Sequence, residues 1–280
     1  MLAVVFALSQ PAAAAYAVPP GTFELMTDAP PLTLIATCPP ATVEATPLPA
    51  GLMHLTIASS CRKQETVRTV YAGIELIHTL NQAGELKTDI DCVAGDGFPL
   101  DVVFEDGSRS TVKVTALDLS RVTKVAVLWR PPVNLDLHAF EYAARPDSPG
   151  HIWAGAPSSA SNAEARMIET SRGHGFMTTV SDGSEPGTKL EVYTFWRQAD
   201  QKNGVISMAL DYESRARRPQ DPDTCGNGLY SEVHYETILF DRNISIKRQF
   251  GSLGTIECNV QLSGFARYNN KTIPEITARP

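Results

Sequence analysis

Within Val125–Ala154, which reads VAVLWRPPVNLDLHAFEYAARPDSPGHIWA, four side chains able to ligate a metal or move a proton fall close together. Asn134-Leu-Asp-Leu-His alternates in polarity, so an extended strand puts Asp136 and His138 on one face and Leu135 and Leu137 on the other. Glu141 follows, and His151 arrives after a Pro-Gly turn. Imidazole with carboxylate suits Zn²⁺ or another transition metal, whereas carboxylate and carbonyl oxygens suit Ca²⁺. A regular strand sends Glu141 to the face opposite His138, and a bulge is needed to bring it round. His174, in Arg172-Gly-His-Gly, is a further ligand on what reads as a flexible loop. The competing reading is a solvent-facing Asp136/His138 pair on a sandwich strand, and it carries more weight. A divalent metal is thus the one cofactor the residues suggest, against the simpler expectation of none.

Other chemistry finds less. Nucleophilic catalysis wants a Ser or Cys on a strained turn with His and an acid in reach, and no G-x-S-x-G occurs. No phosphate-cradling glycine loop leads into Lys-Ser/Thr, and there is no G-x-G-x-x-G. Carboxylates for glycosidic hydrolysis can be drawn from Asp211, Glu213, Glu232 and Glu236, but among 31 acidic residues some pair always suggests itself. His54, His78 and His234 fall inside strand runs and read as structural. Trp129, Trp153, Tyr193 and Trp196 cluster in the second half of the chain. On one exposed face they would form a platform for sugar rings or a protein partner; filling the core is the commoner use.

The elements that must position these residues are strands. Short runs rich in Val, Ile, Thr, Tyr and Phe recur between Gly, Pro, Asp and Asn, and Asp106-Gly107 between two such runs predicts a hairpin. No segment beyond two turns keeps a 3.6-residue apolar period, although 162–170 permits one short helix. The spacing predicts an all-β chain with little helix, as two immunoglobulin-like β-sandwich modules packed together. Their expected bounds are 18–118 and 119–272, with 273–280 as a tail.

Residues 1–17, MLAVVFALSQPAAAAYA, have the apolar and small-residue regions of a secretory signal, with cleavage expected after Ala15 or Ala17, but lack a basic start. The apolar run is too short to span a bilayer, and no other stretch approaches roughly 20 apolar residues, so no transmembrane segment is expected. Export to the periplasm or the medium favours disulfides. Of five cysteines, Cys38 with Cys61 and Cys225 with Cys258 are the expected bridges; Cys92 stays free or replaces either partner of the first. A net charge of −7 argues against a nucleic-acid partner, and the small Arg215/Arg217/Arg218 cluster reads as a solvated loop.

Leu128-Trp129 followed by Leu135-Asp-Leu-His138 resembles a group of uncharacterised bacterial exported β-sandwich proteins whose shared run reads L-x-W … D-L-D-L-H-V. A looser resemblance, through Cys38-Pro-Pro, Leu137-His-Ala-Phe-Glu141 and Gly150-His151, is to exported proteins of Gram-negative bacteria. The resemblance implies a fold class and a location and brings no catalytic residue. The expectation is therefore a non-catalytic binding or structural module of the cell envelope, with a protein or glycan partner. The alternative is a metal-binding protein or metal-dependent hydrolase.

Overall fold

The computed structural model describes residues 38–130, 135–181, 187–198, 203–214, 232–241, 245–254, 264–268 and 273–278. The signal-like segment, Cys225, Cys258 and the Arg215/Arg217/Arg218 cluster lie outside them, as do the side chains of Glu213 and Glu232. Residues 38–280 form one compact unit. It is built almost wholly of antiparallel sheet, with a single α-helix among the described residues.

The first sheets draw on residues 42–113. Strands β1 (Thr42–Leu48), β2 (Leu52–Ala58) and β5 (Glu85–Asp91) make a three-stranded sheet. Strands β3 (Thr66–Tyr71), β4 (Ile74–Thr79), β6 (Pro99–Val103) and β7 (Arg109–Lys113) make a four-stranded one in the order β4-β3-β6-β7. The period-2 pattern does the sorting: Met53, Leu55 and Ile57 of β2 are fully buried while the residues between them are half-exposed. The Asp106-Gly107 hairpin is present, with Gly107 at φ 81° and Ser108 N–H bonded to Asp106 Oδ1 at 2.8 Å. Arg62 closes this end. Its guanidinium bonds Glu65 at 2.8 Å and Asp106 at 2.6 Å and holds the Asp106 carboxyl well below the usual carboxylate range. Beside it the Cys38–Cys61 bridge is formed, with Cα atoms 5.8 Å apart, and Cys92 is free and buried.

The later sheets draw on residues 122–278. One has the order β11-β12-β8-β14-β15, from β8 (Val122–Trp129), β11 (His174–Ser181), β12 (Lys189–Trp196), β14 (Glu232–Phe240) and β15 (Ile246–Gly254). The other runs β10-β9-β13-β16, from β9 (Leu135–Glu141), β10 (His151–Ile152), β13 (Gly204–Ser214) and β16 (Gly264–Tyr268), with β17 (Ile276–Ala278) also paired to β13. The expected tail thus contributes a strand, and Ile273 and Ile276 are buried.

Strand β8 is buried on both faces, which is why its sequence is a nearly unbroken apolar run. Val125, Val127 and Trp129 pack toward the β9 sheet with Leu137, Tyr193 and Phe195. Val122 and Ala126, with Val192 and Phe240, join the core of the first sheets. Lys124 lies on that second face and is fully buried. Its ammonium bonds Asp91 Oδ1 and, at 2.9 Å, Gly51 O, and the Asp91 carboxylate also accepts from Thr178 and Thr194 hydroxyls.

Helix α1 (Ala160–Thr170) covers the short helix allowed at 162–170. Ser159 caps it by accepting Asn162 N–H at 3.1 Å, and Ser171, left-handed at φ 53°, ends it. Ala163 and Met167, one turn apart, are its buried contacts.

Candidate functional site

Strand β9 pairs with β13 without a break from Leu135↔Tyr212 to Glu141↔Ile206. No bulge intervenes, so the side chains alternate strictly. Leu135, Leu137, Ala139 and Glu141 face the core, whereas Asp136, His138 and Phe140 face the other way. This separates the proposed metal ligands. Glu141 is in one cluster, Asp136, His138 and His151 in another, and His174 joins Glu141 rather than the other histidines.

On the outer face β10 returns beside β9 with His151 opposite Phe140. His151 Nδ1 accepts Asp147 N–H at 3.0 Å, so its proton sits on Nε2 and is given to His138 Nδ1, 2.7 Å away. His138 Nε2 then faces Asp211 Oδ2 at 3.5 Å. Both rings are buried and nearly parallel to the ring of Trp153, with centroids 5.0 and 5.9 Å from it. A metal needs a lone pair on each ligating nitrogen, and here the Nδ1 lone pairs of both histidines are already occupied. Among the described residues no three His, Cys, Asp or Glu side chains are grouped to hold a metal ion. The Asp136/His138/Glu141/His151 set therefore does not converge.

On the inner face Glu141 is the hub. Its Oε1 accepts Gly175 N–H at 2.6 Å and Tyr193 O–H at 2.9 Å, and Oε2 accepts Nδ1–H of His174 at 2.6 Å. Gly175 is required here: a Cβ would lie 2.5 Å from Tyr193 Oη and 2.6 Å from Thr194 O. Burial, then the nearby Glu141 carboxylate, pushes the Tyr193 hydroxyl well above its ordinary value. His174 Nε2 lies 2.7 Å from Thr170 Oγ1. Hydroxyl, imidazole and carboxylate follow in the order of a nucleophilic relay. However, Thr170 also bonds Arg166 O at 2.7 Å and sits at the carboxyl end of α1, where the helix dipole opposes a developing alkoxide. The arrangement serves as a clasp pinning α1 to β11. His174, expected in a flexible loop, is instead the buried first residue of a strand.

Between the two clusters lies a cleft of about 580 Å³, lined on one side by Asp147–Pro149 and His151 and on another by Asn162, Ala165 and Arg166 of α1. Buried Ile152 and exposed Ala156 and Pro157 complete the lining. The walls are fixed: Pro157 O accepts Met177 N–H at 2.7 Å, and His151 is held by His138 and Asp147. Arg166 reaches inward, its Nη1 3.2 Å from Glu141 Oε2.

The expected aromatic platform does not exist as a surface. Trp129, Tyr193 and Trp196 are core residues, and only Trp153 is partly exposed. The strands that carry them are covered on both sides, so the rings go to packing. Arg166 escaped sequence reading, since a lone arginine on an eleven-residue helix resembles any solvated one. Glu191 escaped as well. Its carboxyl accepts Leu137 N–H at 2.6 Å, just past the point where two-residue β10 stops covering the edge of β9. Burial pushes that carboxyl up to about 7. A charged residue inside an apolar run, as in Lys124 and Glu191, was the available signal.

No family model matches the chain, and no curated protein matches it. Among solved structures it is similar to a collagen adhesin from S. aureus at 10% identity, over 78% of this chain and 96% of that one, with a TM-score of 0.13.

Proposed function

We propose that this protein is an exported, non-catalytic binding module of the bacterial cell envelope and that its ligand seats in the cleft between α1 and the His151 turn. The observation that carries the reading is the cleft itself: Ile152, Ala156 and Pro157 beside a few polar groups, with His151 and Arg166 already held by buried partners. The Cys38–Cys61 bridge fits an oxidising compartment, as do the signal-like residues 1–17 and the resemblance of the Trp129–His138 segment to exported sandwich proteins. Among the described residues no helix is long and apolar enough to cross a membrane. Partners of protein or glycan chemistry both suit such a cleft.

Two measurements test this. Intact mass of the chain recovered from the periplasm or medium of a bacterial host should show loss of residues 1–15 or 1–17. Chemical-shift mapping with short peptides and oligosaccharides should perturb Ile152, Ala156 and Asn162. The variant Ala165→Trp, which fills the cleft, should abolish those shifts with little change in melting temperature. Shifts that survive Ala165→Trp would overturn the cleft, and a reproducible turnover lost in His138→Ala would overturn the non-catalytic reading.

A further inference from the structure

The Glu141 carboxylate has three hydrogen-bond donors before Arg166 is counted. Gly175 N–H, Tyr193 O–H and His174 Nδ1–H reach it at 2.6, 2.9 and 2.6 Å. These are short, charge-assisted contacts, and they fill three of the carboxylate's roughly four acceptor positions. Arg166 approaches Oε2 only to 3.2 Å, and its Nη1, though buried, makes no hydrogen bond. A guanidinium carries five donors in a planar fork. Here Nη1 is spent on the ion pair with Glu141, and the rest of the fork, on a side chain one-quarter exposed, stands in the wall of a cleft, on a helix capped at its start and clasped at its end. Positioned but unconsumed donors in a concave site are what a ligand acceptor requires.

Resting on the cleft reading, we propose that the cleft binds a carboxylate-bearing ligand, with Arg166 as the residue that receives the carboxylate. The charges nearby select a monoanion. Glu141 lies directly behind Arg166 and Asp147 lines the same cleft, so a dianion such as phosphate would face two fixed negative groups across one cation. Ile152, Ala156 and Pro157 then receive an uncharged body. The same chemistry is offered by the C-terminal carboxylate of a short peptide and by the acid group of a uronic sugar.

The test is titration calorimetry and chemical-shift mapping on the full chain with four organic probes: an N-acetyl dipeptide acid, its amide, a galacturonate dimer and a neutral galactose dimer. Inorganic phosphate is the dianion control. One acid should bind about tenfold or more tighter than its neutral counterpart, a preference that Arg166→Gln removes. Binding of the peptide acid alone identifies a peptide partner, and binding of the galacturonate alone a glycan. Because Arg166→Gln also touches the Glu141 cluster, Asn162→Asp is the second variant: it places a negative charge on the cleft wall away from Glu141 and should weaken the acid selectively. Acid and neutral probes binding the cleft equally would overturn the carboxylate assignment and leave the cleft standing, as would phosphate binding tighter than either acid. No probe perturbing the cleft would overturn both readings.

Discussion

Glu191 should make this protein less stable as the solution passes from mildly acidic to neutral. Its carboxyl, ordinarily near 4.5, is pushed up to about 7, first by burial and then by the neighbouring Asp136. Below about pH 4.5 the group is protonated in both folded and unfolded chains and contributes no pH dependence. Between there and pH 7 the folded chain retains a proton that the unfolded chain has released, so stability falls as pH rises through this window. Above it both forms are ionised and the full penalty is present. At 1.36 kcal/mol per pH unit the penalty approaches about 3 kcal/mol, a sizeable part of the ~5–15 kcal/mol that holds a typical domain folded. Glu191→Gln isolates the effect, because the amide oxygen still accepts Leu137 N–H and no longer titrates. Urea unfolding followed by tryptophan fluorescence at pH 4.5, 6 and 8 and fixed ionic strength is the assay. The variant's stability relative to wild type should rise by about 2–3 kcal/mol from the lowest pH to the highest. A difference that stays flat with pH would refute the argument. Glu191→Leu gives the complementary measurement: it strands the Leu137 N–H and should cost about 1–3 kcal/mol even at pH 4.5.

Other outcomes follow from the same structure. Lys124→Met alone should cost about 3–5 kcal/mol by leaving the Asp91 carboxylate buried without its cation, and adding Asp91→Asn should restore most of that in a double-mutant cycle. Additive losses would mean the pair is not coupled. Gly175→Ala should destabilise by at least about 1–3 kcal/mol, since the new methyl displaces Tyr193 from Glu141, and near-wild-type urea denaturation would exclude that contact. Reducing the Cys38–Cys61 bridge, whose ends are 23 residues apart, should lower stability by about 3 kcal/mol on the chain-entropy model, read as a fall in melting temperature with reductant.

Local pattern carried most of the fold. The runs Thr66–Tyr71, Ile74–Thr79 and Val122–Trp129 are strands with the bounds their composition suggests, because β-branched residues between turn formers leave the backbone little choice. Strands β1 and β11 were hidden, one by Pro47 near its end and the other by its Gly-His-Gly start. For the site, alternation on β9 put Asp136 with His138 and away from Glu141, and the structure kept that alternation without the bulge a metal site needed. What the sequence could not show was which distant group answers each buried charge. Leu137 and Glu191 are 54 residues apart, Glu141 and His174 are 33 apart, and only the packing of one sheet on another brings them together.

The Lys124–Asp91 contact also fixes an order in time. Asp91 closes the last strand of the first sheet, and its cation arrives 33 residues later, on a strand of another sheet. On a ribosome adding ~5–20 residues per second that interval is about 2–7 s. During it the emerging half of the chain holds a carboxylate whose native site has no counter-ion, so its final packing is uphill. The core of the first sheet is therefore completed only when β8 brings Lys124 to Asp91 and adds Val122 and Ala126 to the same apolar cluster.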